Sequence, residues 1–363
     1  MWHRTTGALD EVFSQSREPL ASVLDRHMLT IVGLKKDLAR EFQKLPGYID
    51  DVFLLRYALS FQAEPERLWP SLRQAVQWRM ENETLMSAAH ARVGPAGLTE
   101  QEIRACECFY PARFIGVTVL GDPLVLCRAA SCDQCALMDS VSEEALLQWV
   151  SYLAEVVWAF CDAESRRRGH LVKQYTLLDA TNVTPAYDQR FVKVLGRLSK
   201  QSEWLRPQLV ERTIILNPPM WARWAFSIAE LFLSKKTLSK VVLHATPVGA
   251  DEGGAEFGKH MVSDLAVWPD FLGGEARYDE LLPDGPAEMA TLKAHPGTIT
   301  VLDFLPGRDG QVAKRRVQTA RIEAKVKVTK VPSAKMWHRR FLWNCFSGVV
   351  SMCSSASRRS WLM

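Results

Sequence analysis

The spacing of hydrophobic and polar positions predicts a helical first third of the chain. Between residues 8 and 45, apolar side chains recur at steps of three and four, as they do along an amphipathic helix. Pro46 and Gly47 then interrupt this spacing. A helical hairpin is predicted from about residue 49 to 83, and Pro65 is suited to start its second half, because proline is favoured in the first helical turn.

From about residue 110, short apolar runs alternate with amphipathic segments. Buried strands are predicted at 123–128, 175–179, 213–217 and 240–244, and helices at 143–168, 186–200 and 221–233. This alternation predicts an α/β fold with a mainly parallel sheet and helices packed on it. After about residue 285 the signal weakens to candidate strands within 298–331, followed by a segment expected to be poorly ordered.

Composition and charge narrow the function classes only slightly. The chain has 363 residues, 47% of them hydrophobic, and a net charge of +4, which by itself indicates no nucleic-acid partner. No apolar run approaches the roughly 18 residues of a spanning helix, and the first ten residues do not resemble a secretory signal. A cytoplasmic location is therefore expected, with the eight cysteines mostly reduced.

Two short motifs suggest a zinc site and a phosphate-binding loop, but their spacing favours neither. Cys106-x-Cys108 and Cys132-x-x-Cys135 could together bind zinc, but reduced thiols are the preferred interpretation and no metal is predicted. The run from Gly253 to Lys259 resembles a phosphate-binding loop, yet a histidine follows where magnesium binding needs Ser or Thr. No nucleophile elbow, His-Glu-x-x-His or dinucleotide fingerprint occurs, so neither an enzyme nor a cofactor is predicted.

Seven short motifs occur in an order that resembles one known family. They are Leu54-Leu55-Arg56 with Trp78-Arg79, Phe109-Tyr110-Pro111, Gly121 to Val125, Ser165 to Val172, Ile214 to Pro219, Phe232 to Lys240, and Phe271 to Gly274. Over residues 48–280 the chain thus resembles the CRAL-TRIO lipid-binding family, and within it the yeast-type phosphatidylinositol/phosphatidylcholine transfer proteins. The fourth motif is the most specific, and its His170 is expected to form a structural hydrogen bond.

The resemblance implies a CRAL-TRIO fold whose sheet and helices enclose a hydrophobic pocket. The expected divisions are a helical extension (1–47), a helical module (48–95), the lipid-binding lobe (96–285) and a basic, partly disordered extension (286–363). The expected function is to carry a phospholipid or another hydrophobic molecule as a monomer that contacts membranes transiently. A CRAL-TRIO-like interaction or scaffold module that transfers no lipid is the alternative.

The resemblance also implies which residues contact the lipid. The expected gate helix carries Trp221, Trp224, Phe226, Ile228 and Phe232, and its apolar side chains occur nearly all round the helix. Strand alternation places Gln174 and Thr176 on one face of the central strand, where relatives use a hydroxyl toward the headgroup. Thr237 and Lys240 match two residues of the family's inositol-phosphate site.

Other residues of the inositol-phosphate site are replaced. Phe61, Gln62 and Gln208 stand where relatives carry an Arg-Lys pair and a glutamate. We therefore expect a ligand other than an inositol lipid, such as a sterol, a tocopherol-like molecule or another phospholipid. The basic segment Lys314 to Arg340 is expected either to attract anionic membranes or to be a solvated tail.

Overall fold

The amino-terminal part forms three short helices in place of the long one predicted. The structure is a computed structural model, and it describes residues 17–276 apart from 46, 111, 185–186, 222–239 and 245. Helices α1 (Leu20–Arg26), α2 (Met28–Asp37) and α3 (Ala39–Lys44) follow one another directly. They are separated at His27 and Leu38, whose backbones leave the helical region with ψ of 8° and 15°. The predicted residues 8–16 lie outside the described residues.

The predicted helical hairpin is confirmed, and two further helices follow it. Helix α4 (Asp51–Ser60) is capped by the Asp50 side chain, which accepts a hydrogen bond from the Phe53 amide. Pro65 occupies the first turn of α5 (Pro65–Glu81), as its spacing predicts. Helices α6 (Glu83–Ala91) and α7 (Glu100–Phe109) were not predicted, although Thr99 and Glu102 form a capping box that starts α7.

The sheet has five strands and is mainly parallel, as predicted. The strands are β1 (Ala112–Val117), β2 (Pro123–Arg128), β3 (Gln174–Asp179), β4 (Val210–Leu216) and β5 (Val241–Leu243), arranged in that order. β1 is antiparallel to β2, and the other neighbouring pairs are parallel. The prediction missed β1, whose alternation is interrupted by a bulge before Gly116. The segment Gly121 to Val125 leads into β2.

Helices connect the strands and pack on both faces of the sheet. They are α8 (Gln134–Ser140), α9 (Glu143–Arg168), α10 (Gln189–Leu205) and α11 (Glu252–Met261), with 3-10 turns at Ala129–Ser131, Leu265–Val267 and Asp270–Leu272. The bounds of α9 match the prediction, because Ser142 caps its start and Gly169 ends it in the left-handed conformation. Among the described residues, no helix is long and apolar enough to cross a membrane.

The two faces of the sheet belong to different hydrophobic clusters. Leu178 of β3 packs in the cluster that includes Trp158 of α9 and Leu205 of α10. Leu177, on the opposite face, packs with Phe257 of α11 and the fully buried Trp268. The sheet thus lies between two helical layers, and the α/β fold class with a helical amino-terminal part is confirmed.

The segment Phe271 to Gly274 closes the described part of the fold. Gly273 has φ of +84°, a conformation that other residues adopt only with strain. A β-carbon on Gly274 would collide with the backbone carbonyl of Trp268, so only glycine fits there. The Trp268 indole in turn donates a hydrogen bond to the Leu272 carbonyl at 2.8 Å. These two glycines therefore permit the turn that buries Trp268.

Buried arginines join the amino-terminal helices to the sheet domain. Arg56 donates from Nε to Asp162 at 2.7 Å and from Nη2 to the Val172 carbonyl at 2.9 Å. Arg79 and Arg206 both lie within 3.3 Å of the Glu155 carboxylate, at 3.3 and 2.9 Å. Arg56 and Arg79 are the arginines of the first resemblance motif. They hold structural positions at this interface, which sequence reasoning did not predict.

Candidate functional site

A polar pair lies on the face of β3 that alternation predicts. The Gln174 amide donates from Nε2 to Thr176 Oγ1 at 2.8 Å, and both side chains are half-buried. In the sheet register, Thr176 is flanked by Val125 on β2 and Thr213 on β4. Because the remaining neighbours on this face are largely apolar, the pair could orient the polar end of a bound molecule.

Lys240 lies at the amino-terminal edge of the sheet. Its ammonium group donates to the Val210 carbonyl at 2.8 Å, while Lys173 and Glu211 form an ion pair at 2.8 Å nearby. Burial raises the pKa of the Glu211 carboxyl, but the attraction of Lys173, Arg17 and Lys240 outweighs it and leaves this pKa lowered. The predicted phosphate-binding lysine is thus part of a charged group that links β4 and β5.

The predicted gate residues fall mostly outside the described residues. Trp221 is half-buried and lies just after Pro218 and Pro219, where Met220 and Trp221 begin a helical turn. Met220 is 77% exposed. The other predicted lipid contacts, Trp224, Phe226, Ile228, Phe232 and Thr237, all lie within residues 222–239.

The motif from Ser165 to Val172 connects the end of α9 to the start of β3. Ser165 Oγ accepts from the Val172 amide at 2.8 Å and donates to the Cys161 carbonyl at 2.6 Å. His170 Nε2 lies 3.0 Å from the Leu120 carbonyl, to which it donates. The structural hydrogen bond expected of His170 is present.

Asp122 connects the same motif to the amino-terminal extension. Its fully buried carboxylate pairs with Arg17 at 2.7 Å and accepts from the Lys173 amide at 2.9 Å. Burial raises the pKa of Asp122, against the opposing attraction of Arg17. Residues 17–20 are thereby held against the sheet domain, where the Leu20 amide also donates to the Gly169 carbonyl at 2.7 Å.

A polar cleft that sequence reasoning missed lies at the carboxyl ends of the parallel strands. It encloses about 530 Å³, and its lining consists of Arg128, Asp179, Thr181, Asn182, Asn217, Val248, Gly249 and Phe271. The Arg128 guanidinium lies 4.3 Å from the centre of the Phe271 ring and 3.6 Å from Asp179. One signal could have revealed the cleft, since polar residues end β2 and β3 and directly follow β4.

Asn217 connects two sides of the cleft by hydrogen bonds, and its backbone is in the left-handed conformation, with φ of +50°. Its amide donates to Asp179 at 3.1 Å and to the Val248 carbonyl at 2.9 Å, and its oxygen accepts from the Val248 amide at 2.8 Å. These polar groups satisfy one another, so the cleft is built as a structural junction between β3, β4 and the segment before α11.

The two alternative motifs form neither of the sites considered. Cys106 and Cys108 are buried in α7, whereas Cys135 is exposed, and no group of three metal-binding side chains occurs among the described residues. Burial raises the pKa of Cys106 to about 12, which keeps this thiol protonated. Gly253 and Gly258 lie inside helix α11, so they do not form a phosphate-binding loop.

Comparison with known proteins shows which family the part of the chain that contains these features resembles. Residues 111–263 match the family model of the CRAL/TRIO domain. This stretch is therefore similar to a CRAL/TRIO domain. Proteins of this family bind hydrophobic lipid ligands and transfer them. The match begins directly before β1 and includes the Gln174–Thr176 pair, the Ser165 motif and helix α11.

Two individual proteins show more distant similarity to the chain. Protein real-time of Anopheles gambiae is 25% identical over 223 residues, which are 61% of this chain and 31% of that protein. The chain therefore spans about a third of the length of this curated relative. The crystal structure of Sfh5 is similar with a TM-score of 0.43 and 13% identity, over 74% of this chain and 90% of that one.

Proposed function

We propose that the CRAL/TRIO domain of this chain holds a hydrophobic lipid and transfers or presents it between membranes. The match of the family model over residues 111–263 is the observation that carries this proposal. Hiding acyl chains from water is worth about 0.8 kcal/mol per CH₂ group, so even a short chain favours an apolar pocket strongly. The protein is proposed to act by binding, without catalysis, and to associate with membranes peripherally.

The polar end of the lipid is proposed to contact Gln174 and Thr176. Support comes from their half-burial and from the hydrogen bond that the Gln174 amide donates to the Thr176 hydroxyl oxygen. Val125 is half-buried beside them on the same face, so apolar and polar contacts would be available together. Residues 221–233 are proposed to form the movable gate, with Pro218 and Pro219 fixing how the chain leaves β4.

The ligand is proposed to lack an inositol phosphate, although the motifs resemble those of the yeast-type transfer proteins. At one replaced position, Phe61 is only 4% exposed, and the Arg67 guanidinium lies 5.7 Å from its ring centre. At another, Gln208 supplies a neutral amide side chain in place of a carboxylate, and its backbone carbonyl accepts a hydrogen bond from buried Arg56 at 2.9 Å, a contact that does not depend on the side chain. A sterol or a phospholipid with another headgroup is the class that these replacements favour.

A vesicle-to-vesicle transfer assay with a panel of fluorescent lipids tests this function. Thr176→Val removes a hydroxyl with little change in shape and is expected to slow transfer of the preferred lipid by about three- to tenfold, because one hydrogen bond contributes about 1 kcal/mol. Thr181→Val is the matched control, since Thr181 lies in the edge cleft and its hydroxyl donates to Asp179. A larger effect of the control than of Thr176→Val would contradict the proposed headgroup contact.

The gate is tested in the same assay with Trp221→Asp and Phe226→Asp. Both substitutions are expected to reduce transfer while the protein keeps its bound lipid, because a charged side chain opposes entry of the gate into the bilayer. Unchanged transfer would reject the assignment of this segment. A protein that binds lipid but transfers none, with or without these substitutions, would favour the non-transferring interaction module.

A further inference from the structure

Helix α2 exposes apolar side chains that nothing in the described structure covers. Leu29 is 91% exposed, Val32 56% and Met28 49%, although all three are large hydrophobic residues. Their positions are fixed, because Ile31 and Leu34 on the opposite side of the same helix are buried in the core. Scattered exposed apolar residues are ordinary, but three within one and a half turns of helix form a patch.

Three exposed cations follow this patch in the chain, Lys36 in α2 and Arg40 and Lys44 in α3. Val32 and Lys36 are four residues apart within α2, and Arg40 and Lys44 are four residues apart within α3, so each pair lies on one side of its own helix. Asp37 is exposed as well, but it lies one position, or about 100°, round the helix from Lys36. We call residues 28, 29, 32, 36, 40 and 44 the α2–α3 ridge.

The ridge is held firmly against the remainder of the molecule. Leu38, between the two helices, is only 3% exposed and belongs to the same cluster as Ile31. Lys35 forms an ion pair with Asp51 at the start of α4. At the beginning of α1, the Leu20 amide bonds to the Gly169 carbonyl at 2.7 Å. The ridge therefore presents one defined surface.

We propose that the α2–α3 ridge docks this protein on anionic lipid bilayers. Its apolar part can enter the boundary between headgroups and acyl chains, while its cations meet the phosphates and carboxylates of the headgroups. Charge complementarity favours this occupant, because the three exposed cations favour a negatively charged partner and the neighbouring apolar side chains favour a hydrocarbon layer. The ridge lies outside residues 111–263, which match the family model, and its residues differ in sequence from the proposed gate (221–233) and from the basic segment after residue 313. The inference rests on the proposed function only in that a lipid carrier must meet a membrane.

Vesicle flotation of the full chain tests the ridge. The probes are vesicles of phosphatidylcholine alone and vesicles with about a third phosphatidylserine. The wild-type protein is expected to bind the anionic vesicles more tightly, and added salt is expected to weaken this binding. A triple variant, Lys36→Glu, Arg40→Glu and Lys44→Glu, is expected to lose at least tenfold in partitioning, because each cation near such a surface contributes about fivefold.

The apolar part and the control are tested with paired variants. Leu29→Ser with Val32→Ser is expected to weaken binding severalfold and to leave its salt dependence in place. The matched control is Val93→Ser with Lys200→Glu, which changes an apolar residue that is 75% exposed and an exposed lysine elsewhere. This control is expected to bind as the wild type does.

Lipid cargo is measured on the same samples by extraction and mass spectrometry. Variants that keep their cargo but lose vesicle binding support the ridge. A wild-type protein that does not prefer anionic vesicles, or ridge variants that bind like the control, would overturn it. So would a concentration-dependent dimer that the Leu29 and Val32 changes abolish, since the ridge would then bind a second copy. A wild-type protein that carries no lipid would contradict the proposed function. The ridge would still be tested, because vesicle binding alone decides whether it docks on membranes.

Discussion

Replacing Glu155 by glutamine should strongly destabilise the fold, because it removes a buried negative charge that two buried arginines share. The Glu155 side chain is fully buried between two guanidinium groups, Arg79 Nη2 at 3.3 Å from Oε1 and Arg206 Nε at 2.9 Å from Oε2. Both arginine side chains are at most 1% exposed. Glutamine keeps the shape but removes the negative charge, so two buried cations would face each other uncompensated.

The magnitude follows from the geometry and the burial. A pair of unit charges at 4 Å and an effective dielectric constant of 20 interacts by about 4 kcal/mol, and Glu155 has two such partners that also repel each other. Removing one member of a buried ion pair costs about 3–5 kcal/mol in comparable cases, and we expect a loss in this range for Glu155→Gln. Arg79 also lies 5.0 Å from the Phe53 ring centre, a contact that the substitution leaves in place.

Urea unfolding followed by tryptophan fluorescence measures this loss, because Trp78 and Trp158 lie close to these arginines. The control is Glu144→Gln on the same helix, where the carboxylate is exposed and pairs with Arg197. We expect this control to leave the midpoint unchanged. A loss below about 1 kcal/mol for Glu155→Gln, or one equal to that of the control, would refute the view that this network is desolvated and structurally required.

The stability difference between the wild type and Glu155→Gln should change with pH in one direction. Burial raises the pKa of Glu155, but the attraction of Arg79 and Arg206 outweighs it, so the folded-state pKa lies below the usual value of 4.5. The stability that ionised Glu155 contributes is therefore present above about pH 4.5 and lost as the pH falls through the lower folded-state pKa. The difference between wild type and Glu155→Gln should narrow in acid, and a constant difference down to pH 3 would contradict this.

Three further predictions concern separate parts of the fold. Burial lowers the pKa of His244, which is 6% exposed, so the stability that its neutral form contributes is present above about pH 6.5 and lost as the pH falls. His244→Phe should therefore make the urea midpoint depend less on pH between pH 7 and 5, and an unchanged pH dependence would refute this. Gly274→Ala should cost about 1–3 kcal/mol or more in urea, because its β-carbon meets the Trp268 carbonyl, whereas Gly196→Ala, with open space, should cost none. Thiol labelling followed by peptide mapping should modify exposed Cys135 well before buried Cys106, and the reverse order would contradict the described burial.

Hydrophobic periodicity predicted those helices and strands whose start, apolar pattern and end are all marked by residues within or next to the element. Helix α9 has a serine cap, a long amphipathic run and a terminal glycine, and its predicted bounds of 143 and 168 are those observed. Strands β2 and β3 are short apolar runs, and their predicted limits differ from the observed ones by at most one residue. β1 escaped prediction because the bulge at Gly116 interrupts its alternation, and α11 because its glycines resembled a loop.

The candidate site was predictable only where a single strand determines it. Alternation along β3 placed Gln174 and Thr176 on one face, and the structure brings them into contact. The edge cleft and the buried arginine network depend on residues from elements far apart in the chain, such as Arg79 and Glu155. Their proximity arises from packing of the helices on the sheet, which local spacing does not encode.

We propose above all that residues 111–263, which match the CRAL/TRIO family model, hold a lipid. Native mass spectrometry of the purified full chain, with extraction and identification of whatever dissociates, tests it most directly. We expect a protein of 41.0 kDa that carries one hydrophobic molecule without an inositol phosphate. A folded protein that carries no lipid, and takes none up from mixed phospholipid and sterol vesicles, would contradict it.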